Sequence, residues 1–197
     1  MEQGIVNPKA AGSSPAPGAL ASVTPTSTVT GQMAQRSGDA GIEAFAQSVE
    51  LALVQAYAEV SSSGKVKTPA AVEATATFAQ HHQEHAAALG DAAGSRATDT
   101  PNRKLVKEFR ADLRKVSDET AALEVMLRLE NEAASTYLFA LGSLEATAAL
   151  QLVASVLPVE SQHAVALATL VQKDPREAFP AFETQDQALK PDEFPAS

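Results

Sequence analysis

Four stretches of this 197-residue sequence place ionisable side chains inside apolar helical stripes. Leu123, Met126, Leu127, Ala133, Ala134, Tyr137 and Leu141 fall at helical spacing, with Glu130 among them and Tyr137 two turns further on. Leu150, Val153, Val156, Leu157, Leu167 and Leu170 form a second stripe, centred on Glu160-x-x-His163, a pair three apart that points one way. Upstream, Ile42, Ala46, Val49, Leu53, Ala56 and Val60 carry Glu50-x6-Tyr57, while Ala71, Thr75, Phe78 and Leu89 carry His82-x-x-His85. A carboxylate or imidazole facing a core costs several kcal/mol unless something charged or hydrogen-bonding meets it. Carboxylate with imidazole suits iron, manganese or zinc, and the donor types alone do not choose among them.

The elements that must position these groups come in two copies. Glu50 and Glu130 lie 80 positions apart, and His82 and Glu160 lie 78 apart, so the chain reads as one helix pair repeated, with His in the first copy where the second has Glu. The first helical pattern begins at Asp39, a candidate N-cap, and runs to Ser61-Ser-Ser-Gly64. Thr68-Pro69 then serves as N-cap and N1 of a second helix ending at Gly90 or Gly94, and the short link makes the pair antiparallel. Asn102 to Val116 reads as a short basic amphipathic helix in the connection between the halves. Ser117 and Ser143 are candidate caps for the third and fourth helices, and Pro158 inside the fourth removes a backbone hydrogen bond and predicts a kink just before Glu160.

The expected fold is therefore all-α, a four-helix bundle of two antiparallel pairs with a long crossover containing a short extra helix. This chain resembles the ferritin-like superfamily and is most similar within it to bacterial ferritin-like proteins grouped with desiccation-related proteins. The resemblance spans about Asp39 to Lys173 and rests on the four motifs, in order, on four stripes. It implies that Glu50, His85, Glu130, Glu160 and His163 are metal ligands. It also implies a di-metal carboxylate site, iron first, that reacts with oxygen or peroxide as a ferroxidase- or peroxidase-like stress-protection protein. His82 departs from the pattern, standing where the family has Glu.

Three carboxylates within roughly 6 Å of one another repel and raise one another's pKa, a conflict that two divalent cations remove. With His82 neutral, the six candidate ligands Glu50, His82, His85, Glu130, Glu160 and His163 carry one negative charge fewer than a four-carboxylate set, which favours weaker binding of the second ion. Tyr57 and Tyr137 are placed to donate hydrogen bonds to ligand carboxylates. Each group also has a plain reading: a core tyrosine with its hydroxyl at an edge, a hydrogen-bonded core histidine. His81 lies beside the stripe as a spare ligand, and Glu84 belongs to a solvated face.

The remaining sequence bounds the function. A net charge of -9 argues against nucleic acid or an anionic membrane as partner. Arg103, Lys104, Lys107, Arg110, Arg114 and Lys115 read as a solvated helix face. Cysteine is absent, and no apolar run approaches the ~18 residues of a membrane span. Residues 1–38, rich in Ala, Ser, Thr, Pro and Gly, are expected to be a disordered segment without an intact signal peptide. Such a tract fits an exported domain as well as a cytoplasmic one. The bundle is expected over 39–173, followed by an irregular tail over 174–197 whose Phe179, Phe182 and Phe194 pack back on it. A monomer or homodimer is expected in preference to a cage. The alternative function is a non-enzymatic structural or stress protein with a vestigial metal site.

Overall fold

The computed structural model describes residues 26–174 and 183–196, with side chains from Gly38 onward. Among the described residues all regular structure is helical: α1 (Thr26–Ser62), α2 (Pro69–Ala93), a 3-10 turn (Gly94–Arg96), α3 (Arg103–Leu113), α4 (Glu119–Leu141) and α5 (Thr147–Leu170). Helices α1 and α2 pack as one pair and α4 and α5 as another, while α3 in the crossover lies against α1 and α4. Tyr57 meets Phe78 near one end of the first pair and Gln47 meets Gly90 near the other, so α1 and α2 run antiparallel. This is a bundle of two helix pairs with the expected crossover helix between them.

The helix boundaries follow local chemistry with three departures. Helix α1 starts at Thr26, upstream of the expected Asp39, because no proline interrupts the chain between Pro25 and Pro69. Residues 26–38 are thus helical, and residues 1–25 lie outside the described residues. Asp39 works at a distance instead: its carboxylate accepts from the backbone N–H of Glu145 (3.1 Å) and Ala146 (2.8 Å), capping the start of α5 from another helix. Ser143, the expected cap there, donates to the Phe139 carbonyl. Ser117 yields to Asp118, whose carboxylate accepts from Ala121 N–H at 2.9 Å. Helix α2 opens on Thr68-Pro69 as expected and passes Gly90 to end at Gly94, where φ is 58°. Gly90 stays inside the helix because its missing Cβ makes room for the Gln47 amide, whose Nε2 would lie 2.3 Å from a Cβ. Helix α5 is continuous through Pro158.

The crossover is fastened rather than loose. Asn102 is fully buried, caps α3 by accepting from Leu105 N–H, and donates through Nδ2 to the Phe194 carbonyl at 3.0 Å. Leu105, Val106, Phe109 and Leu113 form the buried face of α3, leaving its basic residues outward, where Arg110 pairs with Glu59 and Lys104 sits 4.0 Å over the Phe194 ring. The tail returns as Leu189 and Phe194, both buried, while Phe179 and Phe182 lie outside the described residues. The apolar interior falls into two clusters. One holds Tyr57, Phe78, Leu123 and Leu167, the other Tyr137, Leu89, Val153 and Val156. The ionisable groups occupy the junction between them.

Candidate metal centre

Each long helix contributes its central polar residues to that junction. Glu50 comes from α1, His82 and His85 from α2, Glu130 from α4, and Glu160 and His163 from α5. All six are buried except His85, whose side chain is 14% exposed. His82 Nδ1 lies 2.7 Å from Glu50 Oε2 and its Nε2 lies 3.2 Å from Glu130 Oε1. His85 Nδ1 is 2.9 Å from Glu160 Oε1 and 3.6 Å from Glu50 Oε2. His163 Nδ1 is 3.3 Å from Glu130 Oε2 and 3.7 Å from Glu160 Oε2. Two overlapping donor sets result, each with its atoms within 4.8 Å of one another: Glu50, His82, His85 and Glu160, and His82, Glu130, Glu160 and His163.

The tyrosines are exchanged between the halves. Tyr57 on α1 donates its O–H to Glu130 on α4, and Tyr137 on α4 donates to Glu50 on α1. The repeated Glu-x6-Tyr spacing becomes a reciprocal pair because α1 and α4 run antiparallel past one another, so the residue two turns on from each glutamate meets the glutamate opposite. Burial and the facing carboxylate, Glu130 for Tyr57 and Glu50 for Tyr137, push both phenols well above their ordinary range and keep them protonated as donors.

The electrostatics correct one expectation. Mutual repulsion among the carboxylates is not what sets Glu50 and Glu130. Burial alone would raise Glu50, but His82 and His85 hold it down at about 2. Glu130 is likewise lowered against its burial by His82 and His163. The imidazoles respond in kind. Burial opposes their charge, but Glu160, Glu130 and Glu50 hold His82 well above its usual value, and Glu160 and Glu50 raise His85 to about 9. His163 is raised by Glu130 and Glu160 against its burial. Only Glu160 goes the other way, raised by burial and by the Glu50 charge. In the metal-free protein the imidazoles and the carboxylates of Glu50 and Glu130 thus favour one another's charged forms.

That neutralisation is incomplete in one place. Both Glu160 oxygens and His85 Nδ1 are buried without a hydrogen-bond partner, the 2.9 Å approach of His85 to Glu160 being out of line for one. Leaving such groups unpaired costs about 1–3 kcal/mol each. Once His85 gives up its proton, its Nδ1 lone pair and the two Glu160 oxygens, orphaned and close together, fit a divalent cation.

Sequence reasoning underrated one residue. His81 Nδ1 lies 2.9 Å from His163 Nε2, with the two rings near parallel at 19°, and Phe78 stacks on His163 at 4.1 Å. His81 therefore fixes the ring of His163 from behind, outside both donor sets. The available signal was its place three residues after Phe78, one helical turn along the same side. Glu84 stays on the exposed face, accepting from Gln80. Among the described residues no helix is long and apolar enough to cross a membrane.

The family model described as a ferritin-like domain matches residues 38–173. No curated protein and no solved structure matched the chain.

Proposed function

This chain belongs to the ferritin-like family, and on that footing we propose that its buried Glu and His residues hold two redox-active ions, iron first among the candidates, that react with oxygen or peroxide in stress protection. Manganese or zinc would suit the same donors. Glu50, His82, His85 and Glu160 would hold one ion, and Glu130, His163 and Glu160 the other, Glu160 belonging to both donor sets. Ferrous ions there would supply the electrons for reducing oxygen or peroxide. The protein's own groups do the rest. Tyr57 and Tyr137 orient Glu130 and Glu50, His81 orients His163, and the partly exposed edge of His85 is the most accessible of the six side chains. A net charge of -9 is consistent with small-molecule rather than nucleic-acid partners, and a monomer or homodimer is the assembly we propose.

The observation that carries this reading is Glu160, a buried carboxylate whose oxygens both lack a hydrogen bond, set among five other donors. The test combines metal and turnover. Anaerobically loaded protein is expected to retain Fe(II) by elemental analysis and to gain thermal stability, about 2.7 kcal/mol at a hundredfold excess over Kd. It is then expected to oxidise Fe(II) faster than a protein-free blank on adding oxygen or peroxide. The absence of both retained metal and a melting shift at millimolar Fe(II) or Mn(II) would refute it. A second reading, a structural stress protein with a vestigial site, is favoured by one observation: His82 already faces Glu50 and Glu130, neutralising them without metal.

A further inference from the structure

His82 is the side chain whose ring lies between the two halves, with one nitrogen toward Glu50 and the other toward Glu130. Glu160 serves both donor sets easily, because a carboxylate has two oxygens with lone pairs to spare. A neutral imidazole has one lone pair, and its second nitrogen carries N–H. His82 therefore ligates in only one half at a time. With Nδ1 committed alongside Glu50, His85 and Glu160, its Nε2–H points at Glu130 Oε1, which also accepts from Tyr57. The carboxylate of the other half is then held as a hydrogen-bond acceptor.

The choice of half is also visible. Of the three orphaned atoms, His85 Nδ1 and Glu160 Oε1 belong to the Glu50 half, and the third, Glu160 Oε2, lies between the halves, 3.8 Å from His82 Nδ1 and 3.7 Å from His163 Nδ1. In the opposite half, Glu130 accepts from Tyr57, while His163 is tied by Nδ1 to Glu130 and by Nε2 to His81. Ligation gains most where donors lack partners. Resting on the metal-binding reading above, we infer that this chain takes divalent ions unequally and in fixed order. The first ion goes to Glu50, His82, His85 and Glu160. The second goes to Glu130, Glu160 and His163 without His82, at least about tenfold more weakly, the low end of what losing even an outer partner costs a metal site.

Calorimetric titration of the full chain with Mn(II), with bound ion counted by electron paramagnetic resonance, reads this directly. Two separated binding events are expected for the parent. His85→Ala and Glu50→Gln each abolish the tight event, whereas His163→Ala leaves it and removes the weak one. His82→Glu, checked for folding by circular dichroism, gives each half its own carboxylate and brings the two affinities within a few-fold. Two equal events in the parent, or loss of the tight event in His163→Ala, overturn the ordering while leaving the metal reading intact. No uptake of Mn(II), Fe(II) or Zn(II) by the parent refutes the metal reading itself. The parent isotherm alone decides between equal and unequal binding, so the inference does not depend on any variant folding.

Discussion

Replacing Tyr137 with Phe is expected to destabilise the metal-free protein more than replacing Tyr57 with Phe, and the difference follows from what each hydroxyl leaves behind. Both phenols donate to a buried carboxylate, and a hydrogen bond to a charged group contributes about 1.5–3 kcal/mol. Tyr57 is one of two donors at Glu130 Oε1, since His82 Nε2 remains 3.2 Å away after its removal. Tyr137 is the only donor to Glu50 Oε1 among the described residues, as His82 and His85 face Oε2. Tyr57→Phe should therefore cost about 1–2 kcal/mol and Tyr137→Phe about 2–3 kcal/mol, the upper part of that range reflecting an orphaned buried oxygen. For a domain of this size the latter lowers Tm by roughly 5–10 °C. Urea unfolding of the chelator-treated variants, with unchanged m-values to certify a two-state comparison, supplies the numbers. Equal costs, or a larger loss for Tyr57→Phe, would refute the assignment of donors to oxygens.

Two further outcomes follow from the described contacts. Glu160→Gln should stabilise the metal-free protein near neutral pH. The folded-state pKa of Glu160 is raised, so the parent loses stability as pH climbs from about 4.5 through that raised value, while the variant does not; urea titrations at stepped pH should show the gap between them widening upward, and a constant gap would refute it. Asp39→Ala should cost about 1–2 kcal/mol by removing the acceptor of two N–H groups at the start of α5, and hydrogen exchange should quicken at Glu145 and Ala146 rather than at the end of α1.

What the sequence discloses and what it conceals divide along a physical line. Signals within one helix were readable: the 3.6-residue period put Glu50, His82, His85, Glu130, Glu160 and His163 on inward faces, and all six meet. Contacts between helices were not, because they depend on relative height and direction. Hence the crossing of Tyr57 to Glu130, the capping of α5 by Asp39 and of the start of α2 by Glu119, which accepts from Thr68 N–H at 2.8 Å, have no local signature. His81 was undervalued for the same reason, since its partner His163 lies on another helix 82 positions away. The charge state of the site was hidden too: carboxylates counted along a sequence repel, but packed against imidazoles they are neutralised in pairs.

The reciprocal tyrosines make the two halves near-equivalent by rotation, yet the halves are joined in one polypeptide. Two separate hairpins associating as identical subunits would present every side chain twice, so a histidine at position 82 would reappear in place of Glu160 and leave two carboxylates instead of three. Covalent fusion lifts that constraint. It lets one half carry an imidazole and the other a carboxylate at corresponding heights, and an interior built on a two-fold rotation acquires two unlike sides.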